Sequence, residues 1–225
     1  MGIETGSARM KKSDQTRNQI IEVSMRLFLQ QGFERTTMRE IARAAGLAPG
    51  AAYYYFESKD HLIFDFYRKS YEDHLAEAER VLREEKKLSR RLAGVIRAHL
   101  KVAEPYHEIS KVLFKTAADP AHPLSPFSKE SKELRDKNID LLRRVLEGQK
   151  LEKDLNERLP EMLWMFKMGM ILYWVHDLSP RREKTYHLVN ECAELVSQVI
   201  QISRLPVLNR LTRKVVDLYY KFKTF

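Results

Sequence analysis

The sequence predicts an all-α protein, and three observations support that fold class. Apolar residues recur at intervals of three and four along almost the whole chain, which is the period of one helix face. No segment shows the strict alternation of a half-buried strand. Only eight Gly and eight Pro occur among 225 residues, fewer than a turn-rich β fold needs.

The composition is that of a globular protein with one or two domains. Hydrophobic residues make up 44% of the chain and charged residues 32%. The single cysteine, Cys192, excludes an intrachain disulfide framework and favours a reducing compartment. The most apolar stretch, Met162–Val175, is shorter than the ~20 residues of a spanning helix. With no apolar leader among the first nine residues, these features predict a cytoplasmic protein without membrane association.

The formal charge of +9 suggests an anionic partner, but the excess is unevenly distributed. Residues 1–60 carry nine Lys/Arg against seven Asp/Glu, whereas residues 204–225 carry six against one. The plain interpretation of the basic C-terminal segment is a solvated helix face.

Two helices are predicted before the first turn motif. The first ends at Gly32, in keeping with a glycine C-terminal cap. The second begins at Thr37, where Glu40 follows at capping-box spacing, and ends at Gly46. Residues spaced along one face of the first helix predict its buried side: Ile20, Val23, Ser24, Leu27 and Phe28.

A third short helix is predicted from Pro49, and Ser58 is expected to cap a long fourth helix, Lys59–Lys87. Three prolines within residues 119–126 predict a loop. Helical periodicity predicts six further helices: Leu88–Ala103, Tyr106–Ala118, Phe127–Glu147, Glu157–Leu178, Arg181–Ser203 and Val207–Lys223.

The second and third helices have the spacing of a helix-turn-helix. Ala42 provides the small residue needed where the two helices meet, and Gly46 provides a position open to positive φ. The second helix of such a pair is free to enter a major groove. Apolar residues at suitable spacing would hold the pair to the first helix: Ile41, Ala45, Leu47, Ala52 and Tyr55. Tyr55 and Phe56 are expected to be core aromatics.

The region from Gln15 to Phe64 resembles the N-terminal signature of TetR-type transcriptional regulators. The remaining 160 or so residues resemble that family only in outline. The resemblance rests on an ordered series of motifs: Gly32-Phe33, Thr36-Thr37-Met38-Arg39-Glu40-Ile41-Ala42, Ala45-Gly46-Leu47, Gly50, Tyr53-Tyr54-Tyr55-Phe56 and Ser58-Lys59.

The resemblance implies an N-terminal three-helix, homeodomain-like DNA-binding domain followed by a larger helical ligand-binding and dimerisation domain. It implies a homodimeric repressor that leaves double-stranded operator DNA when a small-molecule effector binds, with no cofactor and no catalytic activity. Four segments are expected: a flexible basic arm (1–13), the DNA-binding domain (14–60), its helix-turn-helix (37–56) and the second domain (61–225).

The resemblance also suggests which residues meet DNA. Thr37 would lie at a helix N-terminus that faces a phosphate. Tyr53 and Tyr54 match recognition-helix positions that touch phosphates and base edges, and Lys59 matches a phosphate contact. Arg39 projects from the second helix and would reach phosphate or base.

The recognition helix departs from the family pattern in its first residues. Ala48–Ala52, which includes Gly50 and Ala51, has no side-chain hydrogen-bond donor. Bidentate base readout from this segment is therefore excluded, and apolar contact with thymine methyl groups and DNA shape are expected to contribute more.

The N-terminal arm is a second candidate for DNA contact. Arg9, Lys11, Lys12 and Arg17 would add contacts in the minor groove. The alternative is a disordered tail that is partly a remnant of an expression vector.

The second domain is expected to hold an apolar pocket and a dimer interface, although each residue alone also fits an ordinary core. An effector that is lipophilic or aromatic would suit the predicted pocket lining: Val95, His99, Tyr106, Phe114, Leu142, Phe166, Met170 and Tyr173. The helix containing Phe166 and the following helix would form a four-helix interface with a second copy, the alternative being burial within a monomer. The expected interface residues are Leu188, Cys192, Leu195, Val196, Val199 and Ile202.

Enzymatic and metal-binding functions find little support. No Gly-rich phosphate loop or paired catalytic constellation is present, and the seven histidines lack metal-ligand spacing. Two alternatives remain open: a DNA-binding architectural protein without ligand control, and a helical carrier or enzyme. A ratio of specific to non-specific DNA affinity near one would favour the architectural protein.

Overall fold

The described part of the chain is helical, without strands, in the computed structural model. The backbone is described for residues 4–202 and 206–222, and side chains for residues 13–202 and 213–222. Within those ranges the helices are α1 Glu4–Gln31, α2 Met38–Ala44, α3 Ala51–Tyr55, α4 Lys59–Glu84, α5 Leu88–Ala103, α6 His107–Ala117, α7 Lys132–Val145, α8 Lys153–His176, α9 Glu183–Ile202 and α10 Pro206–Phe222.

Helix α1 starts far earlier than expected. Its helical backbone begins at Glu4, so residues 4–13 of the expected flexible arm are helical in the structure. No proline interrupts the segment, and extending an existing helix costs much less than nucleating one. The side chains of Arg9, Lys11 and Lys12 lie outside the described residues.

Helices α3, α7 and α8 also begin at residues other than the predicted ones. The first is α3, which starts at Ala51 rather than Pro49, because the Ala51 amide closes a turn on the Ala48 carbonyl at 2.8 Å. The long α8 starts at Lys153 and carries Pro160 inside it.

The beginning of α7 at Lys132 rather than Phe127 is explained by the preceding turns. The Ser128 hydroxyl donates to the Pro123 carbonyl at 2.6 Å and accepts from the Ser131 amide at 3.1 Å. These side-chain bonds compete with helix formation. Among the remaining helices, α5 has the predicted bounds and α4 stops at Glu84 rather than Lys87.

The chain divides into two compact units. The first unit comprises Met1–Lys69 and Tyr106–Ser131, and the second comprises Ser70–Pro105 and Lys132–Phe225. The first unit thus includes α6 and the proline-containing loop in addition to the expected DNA-binding segment. Helix α4 is continuous across the division and contributes residues to both units.

In the first unit, α1, α2, α3, the start of α4 and α6 share one apolar core. Phe28 and Ile41 are fully buried there, and Ile109 and Leu113 bring α6 against the same core. Burial of such side chains stabilises the fold by roughly 1.5–3 kcal/mol each. This packing fixes α2 against α3, and thereby sets the exposed side of α3.

The second unit is a bundle in which α5 packs against α7, α8 and α9. Buried Arg91 donates to the carbonyl oxygens of Val145 at 3.1 Å and Leu82 at 3.3 Å, and to that of Arg144. The connection between α8 and α9 is held by buried Asp177, which accepts from the Thr185 hydroxyl at 2.6 Å. Arg91 therefore ties α5 to the ends of α4 and α7, and Asp177 ties the end of α8 to the start of α9.

Candidate DNA-binding interface

The turn between α2 and α3 has the geometry of a helix-turn-helix. Ala42 is fully buried where the helices meet, and Gly46 has φ of +70°. The Leu47 amide donates to the Ala42 carbonyl at 2.9 Å and closes the turn. Because L-residues other than glycine rarely adopt positive φ, Gly46 allows the tight turn that the sequence predicts.

The N-terminus of α2 carries the predicted capping box. The Glu40 amide donates to the Thr37 hydroxyl at 3.2 Å, and the Thr37 amide donates to the Glu40 carboxylate at 2.8 Å. Hydrogen bonds from the Thr37 backbone and side chain lower the pKa of Glu40. Thr37 is exposed, and its hydroxyl also donates to the Glu40 carboxylate at 2.8 Å.

The outer side of α3 presents two tyrosines. Tyr53 is 51% exposed and Tyr54 is 83% exposed, although large aromatic side chains usually lie at least partly buried. The next two residues turn inward: Phe56 is buried and Tyr55 packs against the core, as the sequence predicts. Side chains thus change from exposed to buried within residues 53–56, because Tyr53 and Tyr54 lie on the outer side of α3 and the next two residues face the core.

Arginines on α2 extend this surface. Arg39 is exposed, and Arg43, one helical turn later, is exposed as well. Arg43 is not among the predicted DNA-contacting residues, although its spacing of four residues from Arg39 indicates the same helix face. Two guanidinium groups therefore lie beside the helix-turn-helix.

The first residues of the recognition segment lie at the surface without hydrogen-bonding side chains. Ala48, Pro49 and Gly50 are exposed, Ala51 is half-buried and Ala52 is fully buried. Only the first four are open to a partner. This placement agrees with the expectation of apolar rather than bidentate contacts.

Lys59 makes intramolecular contacts at the start of α4. Its ammonium donates to the carbonyl oxygens of Phe33 at 2.6 Å and Glu34 at 3.3 Å, and lies 4.4 Å from the centre of the Phe33 ring. Two of its three hydrogens are thus used to fix the segment after α1. This structural role was not predicted, because no local pattern connects residues 26 positions apart.

Arg17, which is expected to contact the minor groove together with the arm, makes contacts within the first unit. Its Nε donates to Asp65 at 2.5 Å, and its guanidinium lies 4.6 Å from the centre of the Phe56 ring. These contacts tie α1 to α4 and to the end of α3. Because 41% of the side chain is exposed, a minor-groove contact of Arg17 stays a prediction.

The eight residues predicted to line a ligand pocket are divided between the two units. Tyr106 and Phe114 belong to the first unit, and the other six belong to the second. Within the second unit, Val95 and Leu142 are buried, whereas Tyr173 is 42% exposed. The two remaining helix-α8 residues, Phe166 and Met170, are half-buried, as is His99 on α5.

A cleft of about 340 Å³ occurs elsewhere, in the first unit. It lies between the segment following α1 and helix α6, and it contains none of the predicted pocket residues. Its lining comprises Gln31, Gly32, Phe33, Glu34, Arg35, Lys111, Val112, Lys115 and Thr116.

Helix α9 presents the predicted interface residues on a partly uncovered face. Leu195 is 61% exposed, Val199 44% and Ile202 46%, whereas Val189 and Ala193 are fully buried on the opposite side. The face is completed by half-buried residues: Leu188, Cys192 and Val196. Contiguous exposed apolar side chains are typical of an interaction surface.

Two further features concern metal and membrane binding. Among the residues that the structure describes, no group of three or more His, Cys, Asp or Glu side chains has the arrangement of a metal site. None of the helices in the same part of the chain is long and apolar enough to span a membrane.

Two family models match the chain. Residues 20–65 match the model of bacterial regulatory proteins of the tetR family. Residues 91–218 match the model described as Tetracyclin repressor-like, C-terminal domain, which covers more than half of the chain. The first match includes the whole helix-turn-helix, and the second extends from α5 into α10.

Curated relatives match a shorter stretch of the chain. The chain is 39% identical over 69 residues to the HTH-type transcriptional regulator AcrR of Shigella flexneri, covering 31% of this chain and 32% of the relative. The chain thus matches about a third of the length of this curated relative.

Solved structures extend the similarity to the fold. A TetR transcriptional regulator from Nitrosomonas europaea superposes with a TM-score of 0.62 at 16% identity, covering 80% of this chain and 96% of the other. A second neighbour is AibR, solved in complex with isovaleryl coenzyme A and operator DNA. It has a TM-score of 0.53 at 19% identity and covers 78% of this chain and 96% of its own. At these identities the similarity establishes the fold.

Proposed function

Because the chain belongs to the TetR family of DNA-binding transcriptional regulators, we propose that it is a homodimeric repressor released from its operator by a small lipophilic or aromatic molecule. The observation that carries the DNA-binding part is the exposed pair Tyr53 and Tyr54 on α3, directly after a helix-turn-helix turn. We expect the protein to act in the bacterial cytoplasm, without an enzymatic reaction and without a cofactor.

The interface chemistry supports recognition by phosphate contact and DNA shape. Thr37 and the exposed N-terminus of α2 would accept a phosphate, and the third hydrogen of Lys59 would reach another. Tyr53 would bind phosphate, while Tyr54 and Arg39 would reach base edges. Gly50 and Ala51 would lie close to thymine methyl groups because neither has a bulky side chain.

The exposed face of α9 supports a dimer. Burying Leu195, Val199 and Ile202 against the same residues of a second copy would remove apolar surface from water at about 25 cal/mol per Å². Such a two-fold interface is self-complementary, and the dimer would read a partly palindromic operator with half-sites about one helical turn apart.

Helix α4 supports ligand control. It begins at Lys59 in the first unit and is continuous to Glu84 in the second, so a ligand held by its second half would act on the element that carries Lys59. The AibR structure contains both isovaleryl coenzyme A and operator DNA, so this fold accommodates both kinds of ligand. A typical coupling of ~1–3 kcal/mol would change operator affinity about 5–150-fold.

The proposal is tested by selecting an operator from random duplexes and titrating it by fluorescence anisotropy. We expect Tyr53→Ala to weaken binding to all sequences about tenfold, because a phosphate contact carries no base information. Tyr54→Ala should also change the order of preference among operator variants. Tyr106→Ala is the matched control, since this tyrosine is 39% exposed in the same unit but lies outside the helix-turn-helix.

Two outcomes would contradict the proposal. Parental operator affinity in both α3 variants would remove α3 as the recognition helix. A parent protein that binds selected and random duplexes equally well would favour the architectural alternative. For the assembly, sedimentation of a monomer at micromolar concentration would exclude the dimer, and a Val199→Glu variant should convert a dimeric parent to monomers.

A further inference from the structure

Helix α8 carries a lysine in the middle of its buried face. Lys167 is only 1% exposed, although lysine is almost never fully buried without a partner. The positions one turn before it and two turns after it, Leu163, Trp164 and Trp174, are buried as well. An ammonium group thus lies within an apolar stripe, where desolvation of the charge is costly.

The hydrogen bonding of Lys167 is incomplete. Its Nζ donates to the Asn138 side-chain oxygen on α7 at 2.7 Å. No other hydrogen bond or ion pair of this ammonium occurs in the described structure, although the group has three hydrogens to donate. A neutral amide offsets little of the cost of a buried charge, so the arrangement lacks an anion.

Two histidines lie in the same part of the second unit. His74 on α4 is fully buried, and its ring lies 5.0 Å from that of His99 on α5, edge to face. The Nε2 atom of His74 is 3.0 Å from the Val95 carbonyl, which requires the hydrogen on Nε2. Its Nδ1 is buried and has no hydrogen-bond partner in the described structure.

The electrostatics connect these groups. Burial, and after it the positive charge of Lys167, holds the pKa of His74 and of His99 well below the usual range. Burial also lowers the pKa of Lys167 to about 7. Tyr71, which lies near His74, donates its hydroxyl to the Lys137 carbonyl and contributes no anion.

We propose that the Lys167 cluster, consisting of Lys167, Asn138, His74 and His99, binds the carboxylate of an organic acid whose remaining part is apolar. The inference rests on the proposed ligand control and adds the chemical class of the effector. A carboxylate supplies the missing counter-charge, accepting from the two unused hydrogens of Lys167. The unpartnered Nδ1 of His74, once protonated, becomes a further donor.

The position of the cluster links this headgroup to the DNA-binding unit. His74 belongs to α4, the helix whose first residues carry Lys59 and Asp65. A carboxylate that draws His74 toward Lys167 would bias the position of α4, provided that the ligand binds one arrangement of the helix more tightly than the other. The ordinary core residues of α8, such as Leu163, would contact the apolar part of the acid.

The binding test uses acids paired with their uncharged primary amides. Acetate, octanoate, benzoate and naphthalene-2-carboxylate are titrated into the full chain by calorimetry, each beside its amide. We expect at least one of the three larger acids to bind, and its amide to bind about 30-fold or more weakly, because the amide leaves the buried charge unpaired. Absence of binding by every acid, or equal affinity of acid and amide, would overturn the proposal.

The matched variants are Lys167→Met and Lys153→Met on the same helix. Lys153 has a side chain that is 91% exposed, so its replacement should leave acid binding unchanged. Lys167→Met should weaken acid binding about 30-fold or more while leaving the amide unaffected. Circular dichroism and thermal melting show whether each variant is folded. Parental acid binding by a folded Lys167→Met variant would contradict the proposal.

Proton uptake provides a second readout that a packing defect would not produce. At pH 8 a lysine with a pKa of about 7 is mostly neutral, and pairing with a carboxylate raises that pKa. Binding should therefore take up one proton through Lys167, and a second one if the Nδ1 of His74 is protonated as well, measured by calorimetry in buffers of different ionisation enthalpy. At pH 6 the lysine is already charged, and uptake through it should be small. Acid binding at pH 8 without proton uptake would overturn the assignment.

The experiments distinguish failure of the carboxylate site from failure of ligand control. If acids bind through Lys167 but operator affinity does not change, the site stands and ligand control fails. If a neutral apolar molecule releases the operator and acids do not bind, ligand control stands and the carboxylate site fails.

Discussion

The two units differ in the partners of their partly or fully buried cationic side chains. In the first unit, Arg17 pairs with the Asp65 carboxylate, and Lys59 donates to two backbone carbonyls. In the second unit, Lys167 is more deeply buried and donates to one neutral amide. Since an unpaired buried charge is costly, the difference indicates that the cations of the first unit maintain its fold and that Lys167 is kept for a partner.

Other buried charges in the second unit are satisfied. Arg91 donates to three backbone carbonyls from α4 and α7, and Asp177 accepts from the backbone amides of Ser179 and Thr185. The incomplete bonding of Lys167 is therefore not shared by these two buried charged residues of the same bundle.

The largest expected effect comes from Arg91→Met. The variant leaves the Val145, Leu82 and Arg144 carbonyls without their buried donor, and we expect a loss of about 3–5 kcal/mol in the free energy of unfolding. Lys167→Met should change the same free energy by about 1 kcal/mol or less, because an apolar side chain replaces a poorly paired charge. Urea denaturation of both variants gives the comparison.

Equal destabilisation by the two variants would break the distinction between them. It would mean that Lys167 contributes to the fold as Arg91 does, which contradicts its proposed role in binding an external carboxylate.

Asp177→Asn is expected to lower the free energy of unfolding by an intermediate amount that depends on pH. Burial alone would raise the pKa of Asp177, but hydrogen bonds from Thr185 and Ser179 outweigh it and lower that pKa to about 2. An unfolded aspartate titrates near 3.9, so the carboxylate stabilises the fold by about 2 kcal/mol above pH 4. That contribution is lost as the pH falls from about 4 to 2.

The check is chemical denaturation of parent and Asp177→Asn from pH 7 to 3. The difference in the free energy of unfolding should be constant above pH 5 and should narrow below pH 4. A difference that does not depend on pH would show that the carboxylate charge is unimportant for the α8–α9 connection.

A smaller effect than that of Asp177→Asn is expected for Lys59→Met in the first unit. Loss of two partly exposed hydrogen bonds and the contact with the Phe33 ring should lower the free energy of unfolding by about 1–2 kcal/mol. Lys69→Met on the same helix is the control, because that lysine is exposed. Unchanged stability combined with weaker operator binding would make Lys59 a DNA contact with no structural role.

The sequence predicts local features of the first unit well. The capping box of Thr37 and Glu40, the positive φ of Gly46 and the inward direction of Phe56 all depend on residues within a few positions. Short-range steric and hydrogen-bonding rules are sufficient for such features. The ties of Arg17 and Lys59 were missed because their partners lie 48 and 26 residues away.

The second unit is less predictable for the same reason. Helical periodicity identifies α5 with its observed bounds, yet it does not show that Asn138 and Lys167 meet across α7 and α8. It also assigned Tyr106 to the second domain, although this residue packs in the first unit against Phe66. Periodicity specifies which face of a helix is buried, but not which helix covers it.

The most direct test of ligand control through the Lys167 cluster follows release of labelled operator by anisotropy. The tightest-binding acid of the calorimetric panel is added at saturation to operator complexes of the parent, Lys167→Met and Lys153→Met. We expect the acid to weaken operator binding about 5–150-fold for the parent and for Lys153→Met. At the same concentration the Lys167→Met complex should remain intact. Equal release of the operator from all three proteins would contradict ligand control through the Lys167 cluster.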